Sequence, residues 1–94
     1  MTTRGDILAE ASDLIHGERL KAYGSPETNF VRIAAGWQVI FADGVVTPAK
    51  VCLAMDWLKT CRLLQMPTAR DGWVDKAGYS GLGGELSGAP AKSP

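Results

Sequence analysis

The segment between Pro48 and Pro67 restricts the possible folds more than any other part of the sequence. Thr47 followed by Pro48 is a helix start signal, and Pro67 ends the predicted helix at about Met66. Apolar side chains occupy most of its circumference: Val51, Leu53, Ala54, Met55, Trp57, Leu58, Leu63 and Leu64. A helix this apolar belongs at the centre of a domain or in a subunit interface. Because only 94 residues are available to cover it, we expect a homo-oligomer.

The N-terminal part of the chain predicts two more helices. Thr3 and Asp6 resemble a capping box, which opens a helix that reaches about Ile15. Its apolar stripe is expected to lie on a core and consists of Ile7, Leu8, Ala11, Leu14 and Ile15. Ser25, as N-cap, and Pro26 start the second helix. This helix is predicted to end at about Phe41. The apolar residues along one face, expected to be its core face, are Phe30, Ile33, Ala34, Trp37, Ile40 and Phe41.

The last helix is predicted over residues 72–86, with Asp71 as its N-cap. It contains five glycines, each of which costs about 1 kcal/mol relative to alanine in a helix interior. We expect close packing of a neighbouring backbone to compensate for this cost. Since no alternating pattern is long enough for a sheet, the predicted fold is a single all-α, four-helix domain over residues 1–86. The Gly/Ala/Pro/Ser/Lys tail over residues 87–94 is expected to be disordered.

The composition excludes several classes of protein. Ten basic and ten acidic residues give no net charge, so we expect no nucleic-acid polymer as a partner. No apolar run approaches the roughly 18 residues of a membrane span, and no signal-peptide core is present, so we expect a soluble, intracellular protein. Cys52 and Cys61 lie on opposite sides of the third helix, beyond disulfide reach, and are expected to be core thiols.

A pair of cations on the third helix is the first candidate site. Lys59 and Arg62 lie one turn apart on one side of the helix, a geometry that can hold a phosphate from two directions. The alternative is a solvated stripe in which Asp56 is a salt-bridge partner within the same helix. The spacing alone leaves both interpretations open.

The last helix carries the second candidate site. Asp71, Asp75 and Tyr79 follow one another at intervals of four residues and so share a helix face. Two carboxylates one turn apart can share a hard cation such as Mg²⁺, which takes oxygen ligands. Alternatively, Asp71 is only the N-cap and Asp75 is only the partner of Lys59 or Arg62.

The connection between the first two helices is the third candidate site. Arg19, Lys21 and Tyr23 offer two cations and an aromatic face beside the flexible Gly24. Together these residues can hold a charged ligand that contains a ring. The alternative is a plain loop between helices.

In combination, five short segments resemble a family of small phage and prophage proteins of unassigned function. They are Gly17-Glu18-Arg19, Tyr23-Gly24-Ser25-Pro26, Asn29-Phe30, Lys59-x-x-Arg62 and Asp71-Gly72-Trp73-Val74-Asp75-x-x-Gly78-Tyr79. The family pattern is, approximately, Gly-Asp-Arg, Tyr-Gly-His-Pro, Lys-x-x-Arg and Asp-Ser-Trp-Val-Asp-Ile-Ala-Gly-Tyr. The resemblance covers about residues 7–86, and it implies a protein that works in the cytoplasm of a bacterial host.

More distantly, the same elements resemble phage nucleotide-modification-associated domains and, through them, the MazG-like all-α nucleotide pyrophosphohydrolases. That resemblance implies a helical oligomer that binds nucleoside triphosphates through Mg²⁺ held by Glu-Glu-x-x-Glu and Glu-x-x-Asp motifs. This chain departs from those motifs, since its nearest acidic residues are Glu10, Asp13, Asp71 and Asp75. The incomplete acidic set favours binding over catalysis.

Three hypotheses of function follow. The first is a phage protein that binds a phosphorylated nucleotide and sequesters it, for example a cyclic nucleotide signal of bacterial immunity, without cleaving it. Its ligand-binding residues would be Arg19, Lys21, Tyr23, Lys59, Arg62, Asp75 and Tyr79, with Asp71 and Asp75 available for Mg²⁺. The second is a Mg²⁺-dependent pyrophosphohydrolase with a reduced site. The third is a non-catalytic protein-interaction module whose charged residues form salt bridges between helices.

Overall fold

The structure is a computed structural model that describes residues 1–17 and 25–92. This part of the chain contains four helices and no strand, which confirms the all-α prediction. The helices are α1 (Arg4–His16), α2 (Pro26–Ile40), α3 (Pro48–Gln65) and α4 (Arg70–Leu86). The predicted ligand contacts of Arg19, Lys21 and Tyr23 lie outside the described residues. The division into a domain over 1–86 and a disordered tail over 87–94 stays a prediction.

Two of the four predicted helix caps form as expected. The Thr3 hydroxyl accepts a hydrogen bond from the Asp6 amide, and the Asp6 carboxylate accepts one from the Thr3 amide, which completes the capping box. This second bond lowers the pKa of the Asp6 carboxyl. At the start of α3, the Thr47 hydroxyl accepts from the Lys50 amide at 3.2 Å. This side-chain cap by Thr47 therefore determines the residue at which the central helix begins.

Of the other two predicted caps, one is confirmed in position and one is wrong. Ser25 stands at the N-cap of α2, as predicted, but makes no side-chain cap bond, because its hydroxyl donates to the Glu27 carboxylate at 2.8 Å instead. Helix α4 starts at Arg70 with Ala69 at its N-cap, so Asp71 lies in the first turn rather than before it. There its negative charge still favours the helix through the macrodipole.

Helix α3 is the central helix, as its all-round apolar character predicts: α2 packs on one part of its surface and α4 on another. The buried apolar residues are Ile33, Cys52, Ala54, Cys61 and Leu63. Four of these five belong to α3. The prediction of core thiols is confirmed, and burial raises the pKa of the Cys61 thiol.

Two tryptophans connect α2 to α3, because each indole N–H donates to a backbone carbonyl of the other helix. The Trp37 indole N–H donates to the Ala54 carbonyl at 2.8 Å, and the Trp57 indole N–H donates to the Arg32 carbonyl at 2.9 Å. Each carbonyl has a second lone pair for this bond, so the helices keep their own hydrogen bonds. The ring of Trp57 reaches Arg32 by lying over Gly36, where an added Cβ would come 2.0 Å from the indole nitrogen. Glycine at position 36 is therefore a condition of this packing.

The prediction that the apolar stripe of α1 lies on a core is wrong in this structure. Helix α1 forms with the expected bounds, but none of its residues is buried, and Leu8 and Ile15 are 67% and 53% exposed. The physical reason is that α2 and α4 already take the two packed surfaces of α3. On α2, Phe30 is also exposed although it was placed on the core face.

We predict that Gly36→Ala lowers the free energy of unfolding by about 1–3 kcal/mol, because the new methyl group overpacks against Trp57. In a Trp57→Leu background the clashing indole atoms are gone. There the same change should be neutral or should stabilise by up to about 1 kcal/mol through helix propensity. Urea unfolding of the four proteins measures this cycle, and an equal loss in both backgrounds would contradict the proposed contact.

Candidate functional site

The contact surface between α3 and α4 is here called the seam. Charged residues of the two helices form ion pairs across it. Lys59 Nζ of α3 lies 2.8 Å from Asp75 Oδ2 of α4, and Lys76 Nζ of α4 lies 3.1 Å from Asp56 Oδ1 of α3. Lys76 also donates to the Thr60 hydroxyl at 2.6 Å. Because the two pairs have opposite polarity, a shift of one helix along the other would place like charges together. The pairs therefore specify the register of α3 against α4.

Glycines allow this seam to close. A Cβ at Gly72 would lie 2.8 Å from Leu63 Cδ2, and one at Gly83 would lie 3.0 Å from Cys52 Cβ. These two glycines are therefore tightly packed, as we expected, but mainly against side chains of α3 rather than against its backbone. The other three, Gly78, Gly81 and Gly84, face open space in the described structure.

A groove of about 300 Å³ lies between α3 and α4. Its apolar wall comes from α3, and α4 adds backbone and hydroxyl groups. The lining residues are Ala49, Cys52, Leu53, Asp56, Tyr79, Ser80, Gly83, Gly84 and Ser87. The groove thus combines a carboxylate, three hydroxyls and a thiol with a flat apolar surface. Lys76, which is bonded to Asp56, is the cation linked to this lining.

The structure does not bring the predicted site residues of α3 and α4 together into one site. Tyr79 lines the groove. Lys59 and Asp75 form their ion pair in the seam, which is the arrangement that the alternative interpretation of Asp75 described. Arg62 is half-buried on α3 and interacts within the protein. Asp71 is exposed in the first turn of α4.

Sequence reasoning missed Lys76 and Thr60, and it gave Asp56 the wrong partner. The alternative interpretation of Lys59 and Arg62 placed the partner of Asp56 on its own helix, whereas Asp56 pairs with Lys76 across the seam. The signal is that each helix carries an acidic residue followed by a basic one, Asp56 and Lys59 on α3 and Asp75 and Lys76 on α4, which can pair when the two helices run antiparallel. Reading that signal requires knowing that these two helices are neighbours.

Metal binding at Asp71 and Asp75 stays a prediction. Within residues 1–17 and 25–92, no group of three or more His, Cys, Asp or Glu side chains is close enough to hold a metal ion. Glu10 and Asp13, which the pyrophosphohydrolase hypothesis requires, are exposed on α1.

No helix of the described chain is both long and apolar enough to cross a membrane.

We predict that Lys76→Ala lowers the free energy of unfolding by about 1 kcal/mol, because it leaves the half-buried Asp56 carboxylate and Thr60 hydroxyl without their donor. Lys59→Ala should cost less, since its partner Asp75 is more exposed than Asp56. Chemical denaturation of both variants measures the difference. A larger loss for Lys59→Ala would show that the Lys76 cluster does not hold the seam.

Comparison with known proteins places the chain in a family. Residues 6–87 match the family described as a domain of unknown function, DUF6378. The chain is 36% identical over 76 residues to the Gene 55 protein of Mycobacterium phage L5, which covers 81% of this chain and 49% of that protein. It is 39% identical over 75 residues to the Gene 55 protein of Mycobacterium phage D29, with 80% and 49% covered. No solved structure shows significant similarity.

The chain thus spans about half the length of the curated relatives it matches. The matched family segment includes the whole seam and every residue that lines the groove. These matches confirm the expected phage family of unassigned function, and the chain belongs to the DUF6378 family.

Proposed function

We propose that this protein binds a phosphorylated nucleotide in the groove between α3 and α4 and holds it without cleaving it. The observation that carries the proposal is the composition of the groove, in which Asp56, Tyr79 and two serines face a short apolar wall. Its volume of about 300 Å³ lies at the lower end of the range for small-molecule sites. The distant resemblance to MazG-like domains supports the choice of a nucleotide within this class.

The lining suits a nucleoside better than a bare phosphate. The Asp56 carboxylate can accept a hydrogen bond from the amino group of a base or from a ribose hydroxyl. Ser80 and Ser87 can donate or accept with the same partners. Gly84 carries no side chain and has open space above it, so a flat ring can lie directly against the backbone there, with Leu53 as apolar contact.

Cations next to the groove would bind the phosphates of the nucleotide. Lys76 has three donors, and two of them are directed to Asp56 and Thr60. The third can bind a phosphate oxygen while the two existing bonds hold the ammonium group in place. Lys59 and Arg62 lie on the turns of α3 that follow Asp56. Lys59 is paired with Asp75 and Arg62 also interacts within the protein, so each would bind a phosphate by exchanging these contacts for it.

Binding without cleavage is favoured by the state of the one carboxylate in the groove. Hydrolysis of a diphosphate requires a divalent metal to offset charge and to activate water. The Asp56 carboxylate is paired with the Lys76 ammonium at 3.1 Å, so a metal ion would have to compete with this ion pair for the carboxylate. A protein of this kind acts by sequestration, and in a phage family the ligand would be a host nucleotide signal, such as a cyclic dinucleotide.

A thermal-shift titration tests the proposal with named probes: ATP, AMP, cyclic di-AMP and inorganic phosphate, each with Mg²⁺ and with EDTA. We expect one nucleotide class to raise the melting temperature by roughly 10 °C at 100 times its Kd, because binding then adds about 2.7 kcal/mol. The shift should survive EDTA, and the nucleotide should be recovered unchanged by chromatography. No shift with any probe would overturn the proposal, and Mg²⁺-dependent consumption would establish the hydrolase instead.

Filling the groove provides the matched control. Ser80→Leu places a branched side chain in the groove from an exposed helix position. It should reduce affinity at least tenfold without changing the unfolding midpoint of the unliganded protein. Ala35→Leu adds a leucine at an exposed position of α2 away from the groove, and its affinity should equal that of the wild type. Equal binding by both variants would show that the ligand lies elsewhere.

A further inference from the structure

Helix α4 has a second long face, which no helix of the described chain covers. Its inner face packs on α3 through Gly72, Asp75, Lys76 and Gly83. At 3.6 residues per turn, the opposite side is formed by residues that are all exposed, here called the outer face. They are Trp73, Val74, Ala77, Gly78, Gly81, Gly84 and Glu85.

The chemistry of the outer face differs from that of a solvated helix. A surface helix normally carries charged and polar residues opposite its packed side, whereas this face has a single charge, Glu85. Trp73 and Val74 are 55% and 58% exposed. The Trp73 indole N–H donates to the Pro67 carbonyl at 2.9 Å, so the ring presents only apolar surface.

The exposed area shows that the chain alone leaves much surface uncovered. The accessible surface is 7168 Å², whereas a compact monomer of 10.0 kDa exposes about 5,200 Å². The surplus of about 1,900 Å² belongs to the chain as a whole, and the outer face contributes Trp73 and Val74 to it. A stable dimer needs about 800 Å² from each partner. The chain as a whole therefore exposes more surface than the association of two copies would bury.

The order of residues along the outer face is self-complementary. Large apolar side chains, Trp73 and Val74, lie in its first turn, and glycines occupy its middle and its end. In an antiparallel pair of helices about a two-fold axis, the first turn of one copy faces the last turns of the other. Trp73 and Val74 would then pack over the glycines of the second copy, which have open space above them at Gly78, Gly81 and Gly84.

We propose that the outer face of α4 is a homodimer interface, in which α4 packs antiparallel against α4 of a second copy. The three glycines permit a close approach of the two helix backbones, as Gly72 and Gly83 do within the seam. This explains why α4 retains glycines at helix positions where alanine would be more favourable. The interface is independent of the proposed nucleotide site, apart from Gly84, which belongs to both surfaces.

The mass of the full chain in solution tests the interface. Sedimentation equilibrium of the wild type should give about twice the 10.0 kDa chain mass at micromolar concentrations. Gly81→Leu should raise the dimer Kd at least 100-fold, since a leucine prevents the close approach, and circular dichroism should show unchanged helix content. Ala35→Leu, on the exposed side of α2, should dimerise as the wild type does. A monomeric wild type, or a dimeric Gly81→Leu, would overturn the proposal.

A disulfide trap distinguishes this interface from one formed by α1. Gly78→Cys places a thiol near the centre of the antiparallel pair, and mild oxidation should convert it to a covalent dimer. The native Cys52 and Cys61 are buried and should not react. Leu8→Cys on α1 is the matched variant and should remain uncrosslinked. Crosslinking of Leu8→Cys alone would assign the interface to α1 and contradict the proposal.

Discussion

The need to cover α3 controls the structure of the rest of the chain. An 18-residue helix with apolar side chains on most sides cannot be stable in water alone. Two neighbours cover part of its surface, while Val51, Leu53 and Leu64 stay exposed. Both neighbours reach it by close approach at a glycine: Gly36 of α2 under Trp57, and Gly72 and Gly83 of α4 against Leu63 and Cys52. Polar contacts then specify the position of each neighbour on α3. Two indole N–H hydrogen bonds connect α2 to α3, and two ion pairs connect α4 to α3.

Most of the fold could be predicted because its signals are local. Proline and threonine at the start of α3 mark where that helix begins, and its apolar circumference marks it as central. The Asp71 cap assignment failed because α4 begins at Arg70, which places Asp71 in the first turn, and Ser25 caps α2 without a side-chain bond because its hydroxyl bonds Glu27. The stripe of α1 shows the limit of periodicity. An amphipathic pattern predicts a helix with an apolar side, but not which surface, in the same chain or another, covers that side.

The candidate site was less predictable than the fold, since its residues meet only in three dimensions. Tyr79 was found from sequence, but the groove depends on glycines and serines of α4 whose role no motif indicates. Lys76 follows Asp75 directly, yet the two side chains bond different residues of α3. Helix α4 thereby carries two surfaces in this chain: a groove shared with α3, which combines an apolar wall with a few polar groups, and an apolar outer face. We propose a small ligand for the first and a second copy of the chain for the second.

The most direct test of this account is where a nucleotide contacts the protein. An amide NMR titration of the ¹⁵N-labelled full chain with cyclic di-AMP, repeated with ATP, reports this residue by residue. The account predicts that the largest shifts cluster at Ser80, Gly83, Gly84 and Ser87, together with Asp56 on the facing helix. Shifts confined to α1 or α2, or no shifts with either nucleotide, would contradict it.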